Sequence, residues 1–192
     1  MRPASLILAS LFFAGASPAQ PAFRAYASSL ELAEGGKIDT MVVVLGAERV
    51  TVRVPHGYGA QVRADKNSVV FTDKDGTTAI TLKATADSPG VMPDEEVLRS
   101  KALAANPGGT NLEWSTCPTG YKPAKVADSV RTVTSSLSLK VRHAFVACPE
   151  GTLEVICAAN GVDFENACVV FNALISSLQV ELVNKAETLP PH

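Results

Sequence analysis

The sequence predicts an α+β fold, an antiparallel β-sheet with helices packed on its faces. Most of the chain reads as β-strands that follow one another in short hairpins, with glycine, proline and aspartate at the turns. One helix pattern interrupts these strands at 93–105, and a second follows the last hairpin at 163–180. Strands joined by tight turns pair antiparallel, so the two helices are expected to cover the resulting sheet.

The helix predicted over 163–180 has the clearest periodicity in the chain. Its apolar residues recur at the three-and-four spacing of one helical face, and its polar residues fall on the other side. The apolar set is Phe164, Ala167, Cys168, Phe171, Leu174, Ile175 and Leu178, and the polar set is Glu165, Asn172, Ser176 and Gln179. Asp163 is the expected N-cap. We expect the apolar face to pack on the long hairpin over 137–158 that precedes it.

The remaining strands are predicted from β-branched runs and turn residues. Asp75 and Gly76 suit a tight hairpin turn, because such turns require positive φ angles. The predicted strands lie at 41–45, 50–54, 69–72, 78–83, 110–116 and 121–126. Residues 20–40 show no sustained period and are predicted to be a flexible leader. The single domain is therefore expected to span 41–183, followed by a disordered tail at 184–192.

The helix at 93–105 is predicted from its start and stop signals. Proline stands in its first turn, followed by three acidic residues beside the positive end of the helix dipole. Its apolar stripe is narrow and consists of Val97, Leu98, Ala102 and Ala105. Such a stripe is typical of a helix that covers a sheet rather than filling a core.

The N-terminus has the pattern of a secretory signal peptide. Arg2 precedes an apolar run at 6–14 that is shorter than the ~20 residues a membrane-spanning helix needs. Cleavage is possible after Ala16 or after Ala19, and we favour Ala19, giving a signal peptide of residues 1–19. No cysteine follows either position, as a lipid anchor would require. The prediction is a periplasmic or secreted protein without membrane association after cleavage, and an uncleaved membrane anchor is the alternative.

Charge and motif content exclude several classes of function. Without residues 1–19 the chain has 16 Lys and Arg against 19 Asp and Glu, so no basic surface is expected to bind nucleic acid. No His or Cys set has zinc-ligand spacing, and the calcium-loop pattern that begins at Asp73 fails at its twelfth position, Ala84. We therefore expect neither metal nor cofactor. His143 is in phase with apolar strand residues and is expected to be a hydrogen-bonded core residue.

Four cysteines in an exported chain suggest disulfides. Strand parity places Cys157 in phase with its apolar neighbours, and Cys168 lies on the apolar face of the last helix. Parity also places Cys117 and Cys148 on the opposite face of the sheet. The predicted pairs are Cys157 with Cys168 and Cys117 with Cys148. The alternative is that all four are buried free thiols.

The order of elements resembles a known family. The segment 49–58 reads as a strand followed by Pro55, Gly57 and Tyr58, 69–73 reads as the next strand, and a closing hairpin leads into 171–178. This arrangement resembles the PsbP-like and DcrB-like α/β/α sandwich proteins over roughly residues 50–180. The resemblance implies an exported, non-enzymatic accessory or binding protein. The cysteines are not part of the pattern.

Two functional hypotheses follow. The first is an exported accessory or binding module of the cell envelope, whose partner is an envelope protein or a small apolar ligand. The second is a periplasmic or secreted hydrolase whose site is assembled from distant residues, with His56, Tyr58 and an acid as candidates. The glycine-flanked loop with His56 and Tyr58 is the candidate binding loop, because loops present side chains to solvent. The alternative is an ordinary turn that follows a strand.

Overall fold

A computed structural model describes residues 23–183. The predicted signal peptide and the predicted tail lie outside these residues. The described chain forms β1 (Phe23–Glu31), β2 (Lys37–Leu45), β3 (Glu48–Arg53), β4 (Tyr58–Arg63), a short 3₁₀ turn (Ala64–Lys66), β5 (Ser68–Asp73), β6 (Thr78–Thr85), α1 (Glu95–Ala105), β7 (Thr110–Cys117), β8 (Ala124–Thr134), β9 (Leu137–Cys148), β10 (Gly151–Asn160), α2 (Phe164–Ser176) and β11 (Gln179–Leu182).

The strands form two antiparallel sheets rather than the one sheet expected from the sequence. The smaller sheet has the order β1-β2-β3-β11, and the larger has the order β4-β5-β6-β10-β9-β8-β7. Every described strand pair is antiparallel. The α+β class with antiparallel pairing is therefore confirmed. The predicted hairpins β2–β3, β5–β6 and β9–β10 are also present.

The main hydrophobic core combines residues of both sheets with the apolar face of α2. This helix contacts β10 of the larger sheet and β3 of the smaller sheet. Phe171, Leu174 and Ile175 are buried, whereas Val169 on the opposite side is 68% exposed. The predicted polar set on this helix pattern is exposed throughout. The amphipathic pattern therefore identified the buried face correctly.

The two ends of α2 differ from the prediction. Asp163 occupies the N-cap position, but its carboxylate accepts a hydrogen bond from the Asn160 side chain at 2.6 Å instead of capping the helix. The Asn160 side-chain oxygen accepts hydrogen bonds from the backbone N–H groups of Val162 and Asp163. At the other end the helix stops at Ser176, because Gln179–Leu182 pairs with β3 as a strand. The predicted helix over 163–180 was too long for this reason.

The predicted flexible leader contains a strand. β1 pairs with β2 over its full nine-residue length, from Phe23 opposite Leu45 to Glu31 opposite Lys37. Its residues beyond Ala25 are exposed on both faces, so no alternation of apolar and polar residues marks the strand in the sequence. The edge strand β4 was not predicted either. All of its residues after Tyr58 are exposed, so it also lacks an alternation of apolar and polar residues.

A second, smaller core lies under α1. Leu98 and Ala102 of the helix pack against Ala127 of β8 and Phe145 of β9. Val97 is 45% exposed, so the buried stripe is narrower than the sequence predicted. α1 covers the sheet without contributing to the main core, which agrees with its expected role.

A buried polar network also lies beside α1. Glu154 of β10 accepts hydrogen bonds from Lys101 at 2.7 Å and from the Nε2 atom of His143 at 3.1 Å, and Lys101 also contacts Asp87. Burial opposes ionisation of Glu154, but the hydrogen bonds from His143 and Lys101 hold its pKa at about 2. Burial lowers the pKa of His143. The prediction that His143 is a hydrogen-bonded core residue is confirmed.

The packing of α2 can be tested by truncation. Phe171→Ala should lower the free energy of unfolding by about 3 to 5 kcal/mol, because it leaves a cavity in the main core. The matched control is Val169→Ala on the exposed side of the same helix, which should change it by no more than about 0.5 kcal/mol. Urea melts measure both values. Equal losses at the two positions would contradict the described orientation of α2.

The network beside α1 predicts loss of stability in acid. The folded-state pKa values of Glu154 and His143 both lie below their ordinary values of 4.5 and 6.5, so the unfolded chain binds these protons more tightly. The free energy of unfolding should therefore fall as the pH drops below 6.5, and fall further between pH 4.5 and 2. Urea melts at a series of pH values measure this dependence.

The variant Glu154→Gln isolates the carboxylate. It should lower stability at pH 7 by about 3 to 5 kcal/mol, because it breaks a buried charge pair. It should also flatten the dependence below pH 4.5. The control is Glu165→Gln at an exposed position of α2. A wild-type slope below pH 4.5 in Glu154→Gln would show that this carboxylate does not account for the acid sensitivity.

Candidate functional site

A groove opens at the C-terminal end of α2. Its volume is about 450 Å³. Four parts of the chain line it: the connection between β3 and β4, the connection between β7 and β8, the last turn of α2, and the start of β11. The lining residues are Arg53, Val54, Pro55, His56, Gly120, Ala173, Leu174, Ser176, Ser177, Leu178 and Gln179. These segments are distant in sequence, so no local motif marks the site.

The β3–β4 connection is shaped by a tight turn. The Tyr58 N–H donates a hydrogen bond to the Pro55 carbonyl at 3.0 Å, and Gly57 between them has a φ of +83°. Proline and glycine at these positions suit such a turn, because glycine adopts positive φ without strain. The Val54 N–H donates to the Asp39 carbonyl at 2.9 Å, which fixes the start of the connection. The result is an exposed His56 at the edge of the groove.

The Ser177 hydroxyl joins β3 to the end of α2. It accepts a hydrogen bond from the Arg53 N–H at 3.0 Å and donates one to the Leu174 carbonyl at 2.7 Å. Its donor proton and one of its lone pairs are therefore committed to the backbone. Ser177 therefore links the β3 side of the groove to the α2 side through hydrogen bonds.

The β7–β8 connection closes the other side through Gly120. Its N–H donates to the Ile175 carbonyl at 3.2 Å. A side chain at this position would bring Cβ to 2.2 Å from the Leu178 carbonyl oxygen and 2.7 Å from that of Ser176. Only glycine allows this connection to lie so close to the end of the helix, and the floor of the groove depends on that contact.

The polar lining of the groove is cationic and neutral. Arg53 supplies a permanent positive charge, His56 an imidazole, and Ser176 and Gln179 neutral polar groups. No aspartate or glutamate is among the lining residues. Across residues 23–183, Arg53 forms no ion pair with an acidic side chain. The groove therefore holds an arginine that has no ion-pair partner among the described residues, beside apolar walls.

The structure separates the two residues of the predicted binding loop. His56 is exposed and lines the groove, whereas Tyr58 packs against the main core as the first residue of β4. Burial raises the pKa of Tyr58. The loop thus contributes one side chain to the site and one to the fold. The sequence predicted both residues for one binding loop and gave no sign of this division.

All four cysteines belong to the main core or pack against it. The parity argument was therefore wrong for Cys117 and Cys148. In the strand register Cys117 lies opposite Ala124 of β8, and β8 separates Cys117 from β9, which carries Cys148. Two strand spacings of about 4.8 Å exceed the ~7 Å Cα separation that a disulfide tolerates. This pair is therefore incompatible with the sheet.

The other cysteine pair keeps the placement that the sequence predicts. Cys157 is buried in the main core, and Cys168 of α2 is half-buried against the same core. In the reduced protein, burial raises the pKa of the Cys157 thiol to about 12, so that thiol stays protonated. The Cys148 thiol instead lies beside the buried carboxyl group of Glu48, and burial raises the pKa of both groups. A disulfide between Cys157 and Cys168 remains a prediction.

Two further findings concern metal binding and membrane crossing in the described part of the chain. Among residues 23–183, no three His, Cys, Asp or Glu side chains are grouped so that they could hold a metal ion. Within the same residues, no helix has both the length and the apolar character needed to cross a membrane.

Comparisons with known proteins give similarity to solved structures only. No family model matches the chain, and no curated protein matches it. Among solved structures, the chain is similar to a mutant form of the protein Mog1, with 12% sequence identity and a TM-score of 0.46. The similarity covers 84% of this chain and 98% of that one.

Proposed function

We propose that this chain is an exported, non-enzymatic accessory module of the cell envelope that binds its ligand in the groove at the end of α2. The groove itself is the observation that carries the proposal. Its volume of about 450 Å³ lies within the range of about 300 to 1,000 Å³ typical of small-molecule sites. A small apolar ligand fits this volume, and so does a short segment of an envelope protein.

The lining of the groove supports binding. Val54, Pro55 and Ala173 supply apolar surface, and a few polar groups stand beside them. Apolar walls with a small number of placed polar groups are typical of ligand sites, because the walls provide affinity and the polar groups fix orientation. The walls are held in place by Ser177 and Gly120, so the groove is formed before a ligand arrives.

The hydrolase alternative has less support. A hydrolytic site of this kind needs a nucleophile in hydrogen-bond contact with a base. In residues 23–183 the His56 ring has no hydrogen bond to a hydroxyl or carboxylate, and the Ser177 hydroxyl is engaged with the backbone. The arrangement of the groove residues therefore favours binding over catalysis.

Export is proposed from the N-terminal sequence. Arg2, the apolar run at 6–14 and the small residues up to Ala19 have the pattern of a signal peptide. An oxidising compartment would also permit the disulfide between Cys157 and Cys168.

The finer fold, an α/β/α sandwich resembling the PsbP-like proteins, is also proposed from the sequence, because the order of the elements resembles that family. Packing of α1 on Ala127 and Phe145, and of α2 on β10 residues that belong to the main core, supports it.

The binding proposal can be tested by filling the groove. A library of small apolar fragments, screened by protein-observed NMR, should give ligands that shift the backbone amides of 53–56 and 173–179. Ala173→Trp places an indole in the groove from an exposed position and should abolish these shifts. Val169→Trp, on an exposed part of α2 outside the groove, is the matched control and should retain them. Fragments that bind elsewhere, or equally to both variants, would refute the proposal.

Export is tested by expressing the chain with its own N-terminus in a bacterial host. Intact mass spectrometry of the periplasmic or secreted fraction should show loss of residues 1–19 and of the two hydrogens that one disulfide removes. Peptide mapping without reduction should then join Cys157 to Cys168. A full-length chain confined to the cytoplasm would contradict export. A mature chain in which all four cysteines react with an alkylating agent would leave export intact and refute the disulfide.

A further inference from the structure

We infer that the groove selects small organic acids, compounds whose apolar body carries a carboxylate. This inference rests on the proposed function and names the ligand class of the same site. It depends on three features of the groove. These are its unpaired arginine, the hydrogen bonds to the last carbonyl groups of α2 at its floor, and the position of its apolar wall.

The first feature is the charge of Arg53. Its side chain is exposed, it lines the groove, and it forms no ion pair within residues 23–183. A guanidinium group binds a carboxylate through two parallel hydrogen bonds, which gives both affinity and orientation. His56 also lines the groove, three residues after Arg53 in the chain, and its imidazole N–H can donate a further hydrogen bond. No lining residue is acidic, so no carboxylate of the lining competes with the ligand.

The second feature is the end of α2. The C-terminus of a helix carries a partial negative charge, which would repel an anion if its carbonyl groups were free. Here the Leu174 carbonyl accepts hydrogen bonds from the hydroxyl and the N–H of Ser177. The Ile175 carbonyl accepts hydrogen bonds from the N–H groups of Gly120 and Leu178. These bonds satisfy the Leu174 and Ile175 carbonyl groups, so they reduce the negative potential that the helix end would present to an anion.

The third feature is the apolar wall. Val54 and Pro55 follow Arg53 directly in the chain, and Ala173 faces the groove from α2. A ligand that places its carboxylate at Arg53 can therefore bury its apolar body against the adjoining wall. A short aromatic or aliphatic acid has this form. An apolar compound without the carboxylate leaves Arg53 unpaired and should bind less tightly.

An NMR titration with benzoate and its neutral isostere benzamide tests the inference. In the wild-type protein, benzoate should shift the amides of 53–56 and 173–179 with an affinity about tenfold higher than that of benzamide, because one charge-assisted interaction is gained. Arg53→Gln should reduce the benzoate affinity about tenfold and leave the benzamide affinity unchanged. The control is Arg63→Gln at an exposed position in β4 outside the groove, which should leave both affinities unchanged.

The outcomes separate this inference from the proposed function. Equal affinities of benzoate and benzamide at the groove would overturn carboxylate selection while leaving the groove as a binding site. Equal loss of benzoate affinity in Arg53→Gln and Arg63→Gln would overturn the role of Arg53, since general charge would then explain binding. If neither probe and no apolar fragment shifts the groove amides, the proposed function itself fails.

Discussion

Burial of the apolar face of α2 is the interaction on which the rest of this structure depends. Phe171, Leu174 and Ile175 are removed from water between residues of both sheets, so the helix joins two sheets that share no strand pairing. Burial of three side chains of this size contributes several kcal/mol, a large share of the about 5 to 15 kcal/mol that stabilises a domain. Because the helix spans the two sheets, its C-terminal end lies where three connections of the chain meet, and the groove forms there.

The polar groups beside α1 have a different role. Lys101 of α1 reaches a carboxylate of β10 that also binds His143, so the helix is tied to the sheet by charge as well as by Leu98 and Ala102. Buried charge pairs add little net stability when intact, but they fix geometry because a displaced partner leaves an unpaired buried charge. This network therefore holds α1 in one position, whereas the groove residues remain open to solvent.

Sequence reasoning succeeded where one face of an element is buried and the other is exposed. The apolar stripe of α2 and the alternation in the central strands show which residues of each element share a face. Burial of one face requires apolar residues at a regular spacing, and that spacing is visible in the sequence. The edge strands β1, β4 and β11 carry no such period, since they gain their structure from pairing with a neighbour. The parity prediction placed Cys148 away from the main core because Cys148 is out of phase with Phe145, an apolar residue of the same strand. Phe145 is instead buried under α1, on the sheet face opposite the main core, so Cys148 faces the main core. Because this sheet is covered on both faces, an apolar strand residue can be buried on either one, and its period alone does not identify the face.

The candidate site was only partly visible in the sequence. Glycine and proline marked the loop that carries His56, because turn residues have local requirements. The partners of that loop, Gly120 and Ser177, lie far along the chain from it and meet it only through the fold. Neither glycine nor serine has a local pattern that distinguishes these positions from others.

Intermolecular NOEs measured on the benzoate complex test the central claim most directly, because they report contact rather than affinity. If the groove is the binding site, the aromatic protons of benzoate should give NOEs to the methyl groups of Val54 and Ala173, which line it. NOEs confined to methyl groups on other surfaces, such as those of the exposed Val133 and Val162, would contradict the account.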